Sequence, residues 1–348
     1  MSVLIGKRPV GPGHPTYIVA ELGINHNGDV ELASRTITAA KSAGADAVKF
    51  QTYRTEDFID DRAMTYRYKS QGREVEETLY DMFKRAELSR EDLTRLTAQC
   101  AEIGIDWHAT PTGTEGVREL VELGVQVLKN GSDFIGHLPL IRSMGETGLP
   151  VVLSTGMATL GDIDDGVKTV RSAGNQQIIL LHCTSQYPTP ASEAHLRRIS
   201  SLASAFDCLT GYSDHTEGAT ASIAAVALGA CWIEKHFTID RNLPGPDQHL
   251  SADPGELNQI VSGIRFLEEA LGDAQIELSD KEIDARRQHR LSCVARSDLN
   301  ASAVLEEDQI SFMRPGDGLC PSERHLLVGR QLVHPVRRGH VFRLDDFK

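Results

Sequence analysis

The chain has 348 residues, with 36 lysines and arginines against 49 aspartates and glutamates, a formal net charge of −13. That length suggests one large domain with a small one, or two of similar size. The negative field disfavours nucleic acid and anionic membrane surfaces as partners. The composition, 40% hydrophobic and 24% charged, is that of a soluble globular chain and not of a disordered or fibrous one. No stretch reaches the roughly 20 apolar residues of a membrane span, and the first 15 residues lack a secretory apolar run, so a cytoplasmic protein is expected. Six cysteines without a C-x-x-C pair read as reduced, mostly packing thiols.

In chain order, short apolar runs that fit strands fall at 17–20, 47–50, 106–109, 127–128, 151–153, 178–181, 209–211 and 232–233. Amphipathic stretches such as 31–43 and 162–172 lie between them, and glycines at 44, 104, 124, 174 and 229 follow the helical segments, where a left-handed residue closes a helix. Eight strands alternating with helices over about 250 residues predict a (β/α)8 barrel over 1–272, although doubly wound open sheets share the alternation. Polar residues follow nearly every strand, and a barrel gathers such ends on one face. The long connection 52–89, with Tyr66 and Tyr68, suits a lid or substrate loop, an additional helix being the alternative. Residues 273–290 read as a linker or linking helix. Residues 291–348 read as a small β-rich domain with strand-like runs at 292–294, 309–313, 326–328 and 340–342. So short a domain is expected to lean on the barrel or on a partner subunit.

Two histidines follow adjacent predicted strands, His215 in Tyr-Ser-Asp-His and His236 in Glu-Lys-His-Phe. Imidazole with oxygen ligands and open positions suits manganese, iron, cobalt or zinc; a surface or structural histidine is the plainer alternative for each. Lys49 and Lys129 end apolar runs, where a buried cation needs an anion. Either Glu21 or Glu234 supplies it, or a bound phosphate or carboxylate does. Thr110, Ser132, Ser154, Ser185 and Ser213 offer hydroxyl donors for a small, doubly anionic ligand. Glu21 is a candidate general base, an orienter of metal-bound water or a salt-bridge partner of Lys49. Asp247 lies in a Pro-Gly-Pro loop that presents a carboxylate to a polyol or simply turns. No nucleotide-binding glycine motif is present.

Seven segments, Ala20-Glu-Leu-Gly-Ile-Asn-His-Asn-Gly-Asp29, Val48-Lys-Phe-Gln51, Leu153-Ser-Thr-Gly-Met157, Leu181-His-Cys-Thr-Ser-Gln-Tyr-Pro188, Tyr212-Ser-Asp-His215, Glu234-Lys-His-Phe-Thr238 and Pro244-Gly-Pro-Asp247, together resemble the sialic acid synthase family. Phe312-Met-Arg-Pro-Gly316 is similar to the antifreeze-like domain of those synthases. The resemblance implies a barrel that condenses phosphoenolpyruvate with an N-acylated hexosamine, such as N-acetylmannosamine or a 2,4-diacetamido relative, to a nine-carbon α-keto acid and phosphate. It implies that His215 and His236 hold a divalent metal, typically manganese, with magnesium or cobalt as options. Lys49, Thr110, Lys129, Ser132, Ser154, Ser185 and Ser213 match phosphoenolpyruvate-binding positions. Glu21, Gln51, Tyr187 and Asp247 match sugar-binding ones. Arg314 matches an arginine reaching the partner's sugar site in a domain-swapped homodimer. The chain departs from the family at Gly131-Ser-Asp-Phe134, where many members read Gly-Ser-Gly-Glu, and at Ser185 and Gln186, which leaves the acceptor sugar open. Two other readings compete: a metal-dependent barrel aldolase, which releases no phosphate, and a non-catalytic carbohydrate-binding protein, which needs neither histidine.

Overall fold

The computed structural model describes residues 2–348, and the chain divides into two compact units, Met1–Gly272 and Asp273–Lys348. In the first, eight parallel strands follow one another: β1 Tyr17–Gly23, β2 Ala47–Thr52, β3 Asp106–Pro111, β4 Leu128–Lys129, β5 Val151–Ser154, β6 Ile178–Cys183, β7 Leu209–Asp214 and β8 Trp232–His236. The ladder runs β3-β2-β1-β8-β7-β6-β5-β4, and its end strands β3 and β4 lie beside each other. First and last strands therefore pair, so the sheet is a barrel and not an open doubly wound sheet.

The period of two along each strand sorts side chains between two cores. Tyr17, Val19, Ala47, Val152, Ile179, Leu181 and Trp232 pack inside the barrel, whereas Ile18, Ala20, Leu22, Val48, Phe50, Leu180 and Ile233 pack outward among the helices. The same alternation sends Glu21, Lys49, Glu234 and His236 inward above the apolar floor. A hairpin of Val3–Ile5 and Arg8–Val10 adds Val3, Ile5 and Val10 to that floor, a strand pair that sequence reasoning missed because each arm is three residues long.

Helices cover the outside, with starts set by their caps. Asp29 accepts the N–H groups of Glu31 and Leu32 at the head of Val30–Ser42, which buries Leu32, Ala33, Ile37 and Ala40. Capping boxes from Ser89 with Asp92 and from Thr159 with Asp162 open Arg90–Ile103 and Leu160–Ser172, each satisfying first-turn donors at both partners. The connection 52–89 holds a largely exposed hairpin, Thr65–Ser70 with Arg73–Thr78, and a helix, Leu79–Ala86. Tyr53, Tyr68, Leu79 and Phe83 pack there around Ile24, Met82 and Ala86.

The second unit opens with a helix, Asp280–His289, that buries none of its residues. Strands Ser292–Ala295 and Ile310–Met313 pair antiparallel over a core that includes Cys293, Leu305, Leu327, Leu332, Phe342 and Phe347. The expected strand at 326–328 is not formed: Pro321–Leu326 is a 3-10 helix and Gly329 follows at φ 83°, so proline at one end and a left-handed glycine at the other turn the chain. The run at 340–342 contributes one bridge, Val341 to Val294. All six cysteines are free thiols. Among the described residues, no helix is long and apolar enough to cross a membrane.

Candidate active site

A cavity of about 390 Å³ occupies the barrel mouth at the carboxyl ends of the strands. Register explains what meets there. Pairing of β8 with β1 puts His236 opposite Glu21, and pairing of β1 with β2 puts Glu21 opposite Lys49. Gln51 lies opposite Thr110 across β2 and β3, and Ser213 lies opposite both Cys183 and Glu234.

Four buried charges form the floor of the cavity. Lys49 Nζ lies 2.8 Å from Glu21 and 3.7 Å from Glu234, and Lys129 Nζ lies 3.2 Å from Glu234. The carboxylates expected as possible lysine partners are thus present, and both lysines still line the cavity. Burial opposes the charge of Glu234, but Lys129 and Lys49 outweigh it and hold its pKa at about 2. Burial opposes the charge of Lys49 as well, and Glu21 and Glu234 outweigh it, raising that pKa. Glu21 goes the other way: burial raises its pKa, and Glu234 adds to that against the pull of Lys49. The two carboxylates are thus shifted in opposite directions, Glu234 toward its anion and Glu21 toward its protonated form. Glu234 Oε2 has no hydrogen-bond partner, an arrangement expensive in a dry core and suited to a ligand, whereas the Glu21 oxygens are engaged by Lys49 and Gln51.

Hydroxyls and imidazoles ring these charges. Lys49 donates to Thr110 Oγ1 at 3.1 Å, the Ser132 and Ser154 hydroxyls lie 2.8 Å apart, and Ser213 reaches Glu234 at 3.4 Å. Ser185 also lines the cavity. Gln51 Nε2 donates to Glu21 at 3.1 Å. The rings of His215 and His236 have centroids 5.5 Å apart, with the Tyr187 ring 4.0 Å from the first and 5.7 Å from the second. Asp247 approaches His236 Nδ1 at 4.0 Å, and burial pushes its pKa up to about 6.

The donor set fits a divalent cation. His215 Nδ1 lies 2.8 Å from the Thr184 carbonyl, which in the neutral ring places the proton on Nδ1 and leaves Nε2 as a lone-pair donor; burial opposes charge on this ring, but Cys183 outweighs that and raises its pKa, so a cation there would have to displace a proton. His236 Nδ1 has no hydrogen-bond partner, and burial, with His215 and Lys49 adding to it, holds the ring well below its usual pKa and hence neutral, the form a metal requires.

Of the residues anticipated from the sequence, twelve share this one cavity: Glu21, Lys49, Gln51, Thr110, Lys129, Ser132, Ser154, Ser185, Tyr187, Ser213, His215 and His236. Asp247 stands beside it at His236. Arg314 belongs to the second unit, where its Nε donates to the His289 carbonyl at 2.9 Å. Phe134, singled out in the sequence as a departure near the substrate, lines the cavity, and so do Tyr53, Phe58, Phe83 and Met157, which sequence reasoning did not assign to a site. Tyr53, Phe58 and Phe83 pack edge to face with centroids 5.1 to 5.4 Å apart. Cys183 was read as a packing thiol, yet it too faces the cavity. Burial raises its pKa, but His215 and Ser132 outweigh that and bring it down to about 7. Its inward direction follows from the period of two on β6, in step with Ile179 and Leu181, a signal present in the sequence.

A closed barrel with paired ammonium groups and paired imidazoles at its mouth defines a class of enzyme that handles anionic substrates. The chain matches the NeuB family over residues 36–276. It is 38% identical over 338 residues to the N,N'-diacetyllegionaminic acid synthase of Legionella pneumophila, covering 96% of this chain and 95% of that one. It is 33% identical over 329 residues to the N-acetylneuraminate-9-phosphate synthase of Mus musculus, covering 94% and 91%. The solved N-acetylneuraminic acid (sialic acid) synthetase of Leptospira borgpetersenii superposes with a TM-score of 0.74 at 33% identity, covering 82% of this chain and 96% of that one. The chain belongs to the NeuB family, the sialic acid synthases, and is an enzyme of the N-acetylneuraminate synthase type.

Proposed function

We propose that this synthase condenses phosphoenolpyruvate with the open-chain form of an N-acylated hexosamine, giving a nine-carbon α-keto acid and inorganic phosphate. The observation that carries the reading is the meeting of Lys49, Lys129, His215 and His236 on one small cavity. Phosphoenolpyruvate bears a carboxylate and a phosphate, and two buried ammonium groups among the hydroxyls of Thr110, Ser132, Ser154, Ser185 and Ser213 suit such an anion.

In the proposed reaction C3 of phosphoenolpyruvate attacks the sugar aldehyde, forming the new carbon–carbon bond and leaving positive character at C2. Water adds at C2, and the tetrahedral adduct collapses to the ketone as the C2–O bond to phosphate breaks. Glu21, with its raised pKa, receives the proton that the attacking water loses or hands one to the forming alkoxide. Glu234 remains ionised and fixes both lysines. His215 and His236, with Asp247 beside them, are the residues that would hold a divalent cation, manganese by resemblance, or magnesium or cobalt. Bound there, it supplies Lewis-acid polarisation of the aldehyde and a template for the water.

For the acceptor, Gln51, Tyr187 and Asp247 supply polar groups, and the aromatic wall with Phe134 suits acyl methyl groups better than a fully hydroxylated ring. A homodimer in which the C-terminal unit serves the partner's barrel, with Arg314 directed to the sugar, belongs to the same reading. The test is phosphoenolpyruvate with manganese and a panel of 2-acylamino and 2,4-diacylamino hexoses, following phosphate and keto acid together. Equal release of both with one acceptor is expected. Carbon–carbon bond formation without phosphate release would replace the synthase with an aldolase, and sugar binding unaffected by His215→Ala would reduce the chain to a binding protein.

A further inference from the structure

Outside the barrel mouth, one group of metal-ligating side chains converges among the described residues: His334, His340 and Asp346 in the second unit, with ligating atoms all within 4.8 Å of one another. His334 Nε2 lies 3.1 Å from Asp346 Oδ1, and His340 Nε2 lies 3.0 Å from Asp346 Oδ2. Zinc bonds of about 2.0 to 2.2 Å to nitrogen and oxygen make the edge of a tetrahedral shell roughly 3.3 Å, so these atoms stand nearly one shell edge apart before any ion draws them together. The imidazole rings meet at 82° with centroids 6.0 Å apart, turned about the shared carboxylate and not stacked on each other.

The supporting structure is built. Asp346 is 9% exposed at its side chain, and the Arg343 N–H donates to Oδ2 at 2.8 Å, holding the carboxylate as an outer hydrogen bond holds a metal ligand. His340 is anchored by its carbonyl, which accepts the Ala295 N–H at 2.9 Å from a core strand. The side chains of His334 and His340 are 49% and 34% exposed, so water has access to complete a coordination shell.

We propose that His334, His340 and Asp346 form a second cation site, independent of the barrel, for a divalent transition metal that accepts imidazole and carboxylate together, zinc above all. Two imidazoles select against magnesium and calcium, which take oxygen ligands. The fold gives such a site a purpose. The unit Asp273–Lys348 is near the size at which a core alone suffices, and its cysteines are free thiols. An ion here ties the turn at His334 and the segment at His340 to the last residues of the chain, and binding to the folded form alone stabilises that form.

The test uses the full chain, stripped with chelator and dialysed against zinc, with bound metal counted by atomic emission. His334→Ala with His340→Ala is expected to bind about one zinc fewer per chain than the parent. His215→Ala with His236→Ala is expected to keep that zinc, so this site and the proposed barrel site are scored separately. Zinc should also raise the thermal midpoint of the barrel-substituted chain, and not that of the chain lacking His334 and His340. Should the double alanine variant lose its circular dichroism, Asp346→Asn preserves shape and is expected to weaken zinc at least about 10-fold, the scale of losing even a supporting partner. An unchanged zinc count in both variants would leave a hydrogen-bonded triad only and overturn the proposal.

Discussion

At Lys49 the stability of the barrel mouth and the proposed substrate contact rest on one side chain. That side chain is 4% exposed and its ammonium lies against Glu21 and Glu234, so removing it leaves buried carboxylates short of a cation. Lys49→Met should cost about 3 to 5 kcal/mol of stability in urea unfolding. It should also lower kcat/KM for phosphoenolpyruvate at least about 100-fold, as loss of a preorganised charge partner does; unaltered kinetics would show that Lys49 is structural. A second effect belongs to His26, which accepts the Gly28 N–H at Nδ1 and which burial holds down to about 4 from an ordinary 6.5. Below about pH 6.5 the unfolded chain takes up a proton that the folded chain refuses, so stability falls between about pH 6.5 and 4. The wild type should lose about 3 kcal/mol more than His26→Gln over that interval, measured by denaturant titration at each pH. Lys49 was legible in the sequence because a charge ending an apolar run must have a reason, whereas His26 was not singled out. Phe58 and Phe83 were not, since their place on the cavity wall depends on how the connection 52–89 folds back, which no local spacing encodes.

At the scale of elements, the apolar runs located all eight strands but cut them short. The run at 209–211 continues as strand to Asp214, and that at 232–233 to His236. Polar residues end a hydrophobic pattern, yet here they remain in the ladder because the barrel mouth buries them. The hairpin Thr65–Ser70 with Arg73–Thr78 was missed for the opposite reason: both arms are charged and mostly exposed, leaving no alternation to read. The loop after β5 carries its own prediction. A Cβ on Gly156 would stand 2.3 Å from Ser185 Oγ and 2.6 Å from Ser132 Oγ. Gly156→Ala should therefore push two hydroxyls from their places and raise KM for phosphoenolpyruvate about 10-fold or more, with the thermal midpoint little changed, since displaced donors no longer meet the anion. A fall in kcat alone would argue that those serines do not touch that substrate.

For the whole molecule, the repeated strand and helix gave away the barrel, because a period of two inside a period of units leaves few closed solutions. The C-terminal unit was less legible, its short strands and 3-10 turns carrying little pattern, and Arg314 could be singled out only by resemblance. Its proposed work in the partner's site has a direct trial. Arg314→Ala should raise KM for the sugar more than for phosphoenolpyruvate. When that variant is refolded with His215→Ala subunits, half of the dimers are mixed and each holds one intact site, so about one quarter of wild-type activity should return. No recovery would mean that Arg314 acts within its own chain or not at all.

The floor of the barrel mouth pairs two ammonium groups with two carboxylates, so with both carboxylates ionised the four charges cancel before any substrate arrives. An incoming dianion would upset that balance in a place where uncompensated charge is severely disfavoured. In the proposed reaction phosphoenolpyruvate would then bring positive charge with it, either a proton taken by Glu21 or a divalent cation at the imidazoles. Calorimetric binding enthalpies should then vary with the ionisation heat of the buffer when metal is withheld, and lose that dependence when manganese is supplied. The enzyme's order of addition would thus be written into a balance of four side chains.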